Sequence, residues 1–510
     1  MQSRSSRAVR FAIGGLGLLL VLLVILIANP PPTGEGDPTT GAPTIDTTTS
    51  TTTTSTTTTT TTTTTEPPYD GWVDPESSGE AWGDAVEGLL TFRGNPTRTF
   101  YGEGPVPMDP EIQWRFPDQA MCSNSSVGGE SINWCGSGWT GQPAIFERDG
   151  QTWVTLGAYS RKVHFLNADT GERLLDDFST GDIIKGSVTI DPDGYPLLYT
   201  GSRDNFYRVV AFDGDSPREL WALSATDVSP TRWNNDWDGA GLIIDDFLFI
   251  GGENSQFHIV KLNRGYDADG AVMVDPELVF NTPGWDDELL AAVGGNVSIE
   301  TSVAISGNVV YFANSGGLIQ GWDITGLQLG VEPTRVFRFW AGDDTDATIV
   351  IDDEGMLYAG IEYERGNARS QEVGQIIKLD PSNPEDPLVW GVAQRPRLDS
   401  GVWATPGLYE DLLIVPTDSG DVLGLDTATG EERWRVELFG PTWASPVIVD
   451  GIWIQGDCNG FLHAFDVTDA TAGPVPLWEI ELGGCIESTP ALWRGQIVVG
   501  TRAGYVYAVG

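Results

Sequence analysis

From residue 88 onward, apolar and polar positions alternate in runs of four to six residues, each closed by Gly or Asp-Gly. Ile452–Gln455, between Asp450-Gly451 and Gly456, is one such run. Short runs between tight turns predict antiparallel hairpins. The runs recur in groups. Ala444–Asp466, laid over Ser488–Gly510 with a shift of 44 and no gap, matches Pro446 with Pro490, Gly451 with Gly495, Gly456 with Gly500 and Gly460 with Gly504. Ala404–Asp426 fits the same frame with a shift of 40. Each group reads as three strands, and a fourth follows, clearest in Gly424-Leu-Asp-Thr-Ala-Thr-Gly-Glu-Glu-Arg-Trp434.

The large apolar position of that fourth strand recurs at Trp114, Leu175, Trp221, Phe280, Phe337, Trp390, Trp434 and Trp478, which makes eight units. Eight four-stranded units predict an all-β, eight-bladed β-propeller rather than a sandwich or a β-helix. The last unit stops at Gly510 after its third strand, while Glu111–Phe116 is a fourth strand with no unit before it. The N-terminal strand is therefore expected to complete the last blade, so that no sheet edge stays exposed. A truncated chain is the other reading of the same ends.

A second hydrophobic pattern lies at the N-terminus. Arg4, Arg7 and Arg10 precede an uncharged run from Phe11 to Ala28, just long enough to cross a bilayer as a helix. Arginines on its N-terminal side orient the remainder outside the cytoplasm. The reading taken is a single-pass anchor at residues 11–28 in a bacterial cell membrane, with a cleaved signal peptide as the rival. Residues 29–87 read as a disordered linker, since 47–65 are only Thr and Ser and have no apolar surface to bury. The domains expected are thus 1–28 (tip and anchor), 29–87 (linker) and 88–510 (propeller).

Charge changes the picture in one respect. With 28 Lys+Arg against 72 Asp+Glu and a net charge of −44, the chain would repel a phosphate backbone, which excludes nucleic acid as a partner. The three histidines, His164, His258 and His463, all fall in predicted third strands, and no GxSxG, HExxH or P-loop spacing occurs. Asp191-Pro-Asp-Gly194 and Asp352-Asp-Glu-Gly355 read as hairpin turns.

The run Asp426-x-x-Thr429-Gly430-x-x-x-Trp434 resembles the tryptophan-docking motif of PQQ-like repeats, and the resemblance covers about residues 88–510. Asn167–Leu175 keeps the Thr-Gly but has Leu175 for the tryptophan. The resemblance implies one of two functions. Quinoprotein alcohol dehydrogenases of the family hold PQQ and Ca²⁺ in the propeller funnel, whereas the propeller lipoprotein of the outer-membrane β-barrel assembly machinery is non-catalytic. Those dehydrogenases carry a disulfide between adjacent cysteines, and no two cysteines here are adjacent; no CxxCH haem site occurs either. The reading taken is a non-catalytic, monomeric envelope module without a cofactor, binding an envelope protein or a small-molecule or carbohydrate ligand. The alternative is a PQQ/Ca²⁺-dependent oxidoreductase.

In a propeller, the loop between strands two and three and the loop leading into the next blade share a face. Cys458 and Cys485 occupy one loop of each kind, while Cys122 and Cys135 share the long loop before the first complete blade. The expected pairs are Cys122–Cys135 and Cys458–Cys485, as suits an exported domain. Crossed pairs remain open. No CxxC spacing supports zinc.

The repeat frame also supplies candidate site residues. Three residues before the inner-strand proline position stand Thr140, Lys185, Asp238, Glu300, Asp346, Trp403, Trp443 and Glu487. The next column is small throughout, from Gly141 to Ser488, as strands crowded around an axis require. The first column is expected to ring the channel mouth. Either it is a solvated lining, or it is a ligand site in which Trp403 and Trp443 stack on a ring and the carboxylates receive a cation or amine.

Overall fold

The computed structural model describes residues 69–510 apart from 128, 129, 139 and 140, so the predicted span and the threonine-rich run lie outside the described residues. Among the described residues no helix is long and apolar enough to cross a membrane.

Eight sheets, each built on four antiparallel strands, follow one another along the chain; seven run in sequence order from first strand to fourth, the last takes its fourth from the N-terminal segment, and the first and last each gain a fifth strand from that segment. Their first strands, which number the blades one to eight, are Ala144–Arg148, Thr189–Ile190, Leu242–Ile244, Ala304–Ser306, Val350–Ile351, Gly407–Tyr409, Val447–Val449 and Ala491–Trp493. First strands of blades four and five, six and seven, seven and eight, and eight and one adjoin. The ring is closed.

Hydroxyl side chains tie these inner strands together just before they begin. The backbone N–H of Gln142 donates to Ser187 Oγ (2.9 Å), Ala240 to Ser302 Oγ (2.9 Å) and Ser302 to Thr348 Oγ1 (3.0 Å). Thr348 donates to Thr405 Oγ1 (3.0 Å) and Thr405 to Ser445 Oγ (3.1 Å). Each partner lies in the next blade at the same repeat position. The short hydroxyl and the small residue before it thus let strands approach closely while satisfying their amides.

Closure follows the expected route. Ile112–Phe116 pairs antiparallel with Val506–Val509, and Gly102–Glu103 adds a parallel strand on the inner side of the same blade. The docking motif has a mechanical meaning in this frame. Trp390 of blade five donates from Nε1 to Thr427 O (3.0 Å) of blade six, and its ring lies over Gly430, at φ 73°. Trp114 of blade eight does the same to Ala168 O (2.6 Å) and Gly171 of blade one. The Asp-x-x-Thr-Gly turn therefore receives the tryptophan of the preceding blade. Asp426 Oδ1 holds that turn by accepting from Thr429 N and Oγ1, as Asn167 does for Thr170. In blades two to eight, the third and fourth strands shift register beside the repeated aromatic, a bulge that re-aims it toward its neighbour.

Two expectations are corrected. Leu175 is not in a fourth strand: the chain makes an isolated bridge at Arg173 and pairs again only at Phe178–Ser179. Residues 69–87, expected in the linker, are packed on the propeller. Trp72 lies edge-on to Phe247 and Phe249, with centroids 5.5 and 5.7 Å away, Val73 bridges to Gly307, and Trp82 is buried. The compact unit accordingly runs from Tyr69 to Gly510.

The segment that follows crosses the floor of the ring. Leu90 O accepts from Ile190 N (2.8 Å), Pro96 O from Ile305 N (2.9 Å) and Thr97 O from Ile351 N (3.0 Å), which engages blades two, four and five. Arg93 donates to Pro406 O (2.7 Å) and to Pro446 O, in blades six and seven. Arg98 donates to Val303 O (2.6 Å) and Ala240 O (3.3 Å), in blades four and three. Both guanidiniums are fully buried. The N-terminal segment thus plugs one end of the channel before closing blade eight.

Deleting residues 1–68 should leave the melting temperature unchanged, whereas deleting 1–117 should give aggregated or unfolded protein, because plug and closing strand are both lost. Equal melting of the two deletions, read by circular dichroism, contradicts this account. Gly430→Ala places a Cβ 2.8 Å from the Trp390 ring at a positive φ, and should cost about 1–3 kcal/mol in chemical denaturation.

Candidate ligand site at the channel mouth

The hydroxyl girdle fixes the level of the first column, because each of its residues stands two positions before a girdle position. Thr140 lies outside the described residues. The other seven stand around the channel at the end away from the plug. Lys185, Glu300, Trp403 and Trp443 keep part of their surface exposed, and Asp238, Asp346 and Glu487 are buried.

Neighbours in this column touch in three places. Lys185 of blade two forms an ion pair with Asp238 of blade three. Ser315 Oγ lies 3.3 Å from Glu300 Oε1 and 3.5 Å from Asp346 Oδ1, linking blades four and five. Trp403 and Trp443 of blades six and seven have ring centroids 5.0 Å apart at 34°. Trp443 Nε1 donates to Asp418 Oδ1 (3.0 Å), whose other oxygen accepts from Arg397 (2.6 Å). Glu487 is held by Arg502 at 2.8 Å, and that guanidinium stacks on both Tyr159 and Trp134. Trp134 belongs to the hairpin of Cys122–Val127 and Glu130–Cys135, whose ends the Cys122–Cys135 disulfide joins. Cys458 and Cys485 form the second disulfide, so both expected pairs are present.

More carboxylates meet here than the column contains. Asp236 and Glu253 join Asp238 in blade three, and Asp344 and Glu362 join Asp346 in blade five. Burial is the largest influence on Asp236, Glu253, Glu300, Asp344 and Asp346, since a carboxylate loses hydration it cannot recover from apolar walls. It raises Glu300 to about 8, with Asp346 adding repulsion, and Asp344 to about 8 despite Arg365. Asp236 rises to about 6, and Asp346 and Glu253 are pushed well above the ordinary range. Lys185 is opposed by burial, yet Asp238 and Glu253 hold its ammonium well above the usual lysine value.

Asp236, Glu253, Asp344 and Glu362 were missed in the sequence, although the repeat marks them. Asp236 and Asp344 each stand two residues before the column, and Glu253 and Glu362 each stand two residues after the glycine that ends the second strand. The other polar candidates are structural. His164 sits between Asp177 (2.8 Å) and Ser160 (2.9 Å), and His463 on Asp457 (3.2 Å). Asp191 and Asp352 cap their hairpin turns and accept from Tyr199 and Tyr358. Chemically, the mouth offers hard oxygen donors for a cation and an indole pair for a flat or ring-shaped group. The adjacent-cysteine pair of the quinoprotein relatives has no counterpart, since the two disulfides join residues 13 and 27 positions apart.

Comparison with known proteins agrees with this architecture. Residues 372–510 match the family model described as outer membrane protein assembly factor BamB. A stretch of 134 residues is 32% identical to the serine/threonine-protein kinase AfsK of Streptomyces coelicolor, covering 25% of this chain and only 15% of that relative. The fold is similar to a europium-containing methanol dehydrogenase (12% identical, 83% of this chain and 98% of that chain, TM-score 0.56). It is also similar to the quinohemoprotein alcohol dehydrogenase of Comamonas testosteroni (13% identical, 83% and 80%, TM-score 0.53). At such identity these likenesses speak to fold alone. The eightfold repeat and the closed ring fit the PQQ-like β-propeller fold, and the family match over residues 372–510 agrees with it.

Proposed function

We propose that the protein is a non-catalytic binding module of the bacterial envelope, anchored through residues 11–28, with the ligand or partner recognised at the unplugged end of the channel. The observation that carries this reading is the asymmetry of the channel. One end is filled by Arg93, Arg98 and the segment around them, while the other presents the partly exposed Trp403–Trp443 pair beside a ring of carboxylates. A blind funnel lined by stacked indoles and acids suits a ring-bearing or cationic group that is held rather than passed through. The family description supports an envelope scaffold, and the tripled arginines before an apolar run support the anchor.

A glycan array and a set of lysine-rich peptides are the probes for this site, applied to the full-length protein in detergent. Any ligand found should bind at least tenfold more weakly, about 1.4 kcal/mol, to the Trp403→Ala, Trp443→Ala double variant, with the melting temperature little changed. Undiminished binding by a folded double variant would move recognition to the outer blade faces. The competing oxidoreductase reading predicts a quinone absorbance band that survives gel filtration after incubation with PQQ and Ca²⁺. Its appearance would overturn the non-catalytic reading.

A further inference from the structure

Three hydrogen-bond donors at the mouth are buried without an acceptor, and they gather around one indole. Trp134 Nε1, Tyr159 Oη and Arg203 Nη1 have no hydrogen-bond partner among the described residues. Tyr159 is fully buried, and the Arg203 side chain is 8% exposed. The rings of Trp134 and Tyr159 meet edge-on with centroids 5.4 Å apart, and the Arg203 guanidinium lies 5.4 Å from the Trp134 centroid. Trp134 comes from the disulfide-closed hairpin, while Tyr159 and Arg203 follow the second strands of blades one and two. The charges that act on Tyr159 are those of Arg502 and Glu487 on one side and of Lys185 and Asp238 on the other, so its hydroxyl stands level with the column. A Cβ at Gly138 would fall on that hydroxyl, so glycine is what admits it there. Burial pushes the phenol up to about 12, which keeps its proton available to donate.

Buried donors without an acceptor have given up hydration and gained nothing in exchange. An anion would satisfy them, but the charges argue against one. Each cation of this sector already faces a carboxylate: Arg203 pairs with Asp236, Arg502 with Glu487 at 2.8 Å, and Lys185 with Asp238 and Glu253. An incoming anion would meet balanced pairs in a chain of net charge −44. An indole N–H and a guanidinium can only donate. The complementary group is therefore an uncharged acceptor, for which an amide carbonyl oxygen with two lone pairs is well suited.

We propose that this sector of blades eight, one and two is a subsite for the acetamido group of an N-acetylated amino sugar, with Tyr159, Trp134 and Arg203 donating to its carbonyl oxygen and to the sugar oxygens beside it. The assignment rests on the reading of the mouth as a binding site and names its ligand class. Trp403 and Trp443, in blades six and seven of the same mouth, supply the stacking surface for another ring of the same oligosaccharide. A peptide offers the same carbonyl but is commonly held by pairing with a strand, and the girdle hydroxyls already take inner-strand amides beneath the mouth. Trp134 keeps part of its surface exposed, so a small shift of its indole opens the three donors to the channel.

The test is titration of the full-length protein in detergent with an N-acetylglucosamine tetramer and with cellotetraose, which has the same rings without acetamido groups. The acetylated tetramer is expected to bind about tenfold more tightly or better. Tyr159→Phe removes one unpartnered hydroxyl, so it should melt no lower than wild type and lose most of that preference. Trp134→Phe should lose it too, which keeps the test open should the first variant fail to fold. The Trp403→Ala, Trp443→Ala variant should weaken both tetramers alike, and this separates the two readings. If wild type binds the tetramers equally and the double variant binds neither, the acetamido subsite is overturned while the mouth remains a binding site. The subsite is overturned as well if both single variants keep the full preference, or if neither tetramer binds at millimolar concentration. Tyr159-dependent binding of an N-acetylated peptide, with no binding of either tetramer, would assign the donors to a peptide instead and overturn the glycan.

Discussion

Two guanidiniums buried at the channel floor, with backbone carbonyls of four different blades as their inter-blade acceptors, are what the rest of this architecture depends on. A ring of eight inner strands leaves amides and carbonyls facing the axis with no further strand to pair them. Arg93 and Arg98 bring rigid forks of donors to that position and spread them over blades three, four, six and seven. The cost is desolvation, which lowers Arg98 to about 9. The return is a floor, set three residues along each inner strand from the column that forms the mouth.

Because the floor and the closing strand belong to one continuous N-terminal stretch, closure of the ring and blockage of the channel are one structural event. Residues 69–87 lie against blades three, four and five, residues 88–101 cross the axis, and residues 102–116 complete blade eight. The mouth is thereby the end that can serve recognition. There the wall is unequal: blades two and three pair their acids with Lys185 and Arg203, blade five sets Arg365 beside Asp343 and Asp344, and blades six and seven present indoles. The proposed recognition at the mouth draws on that inequality rather than on the ring.

The ring itself was legible because its repeat is punctuated. Glycines and prolines held the register over blades six to eight, and the small column after Lys185, Asp238 and their counterparts marked the crowded axis before any strand was placed. Leu175 holds the position of the frame without the pairing: the chain bridges at Arg173 and pairs again at Phe178–Ser179. The plug was illegible for a different reason. Residues 69–101 do not repeat, and Arg93 and Arg98 answer to carbonyls, which leave no trace in a sequence as a carboxylate partner would. Glu253 and Glu362 lay within reach of the frame, two residues beyond a strand-ending glycine, but only the fold shows that this loop bends back toward Asp238 and Asp346.

The central claim is that the N-terminal segment is an integral part of the ring rather than a tether laid across it. Native-state hydrogen exchange tests it most directly, at the amides of Ile190, Ile305 and Ile351, which donate to carbonyls of the plug. If the plug opens only with global unfolding, these amides exchange as slowly as those of the second strands, such as Ile414 and Val498. Fast exchange at all three, with the second strands still protected, would mean that the segment comes and goes and that the channel is not closed at this end.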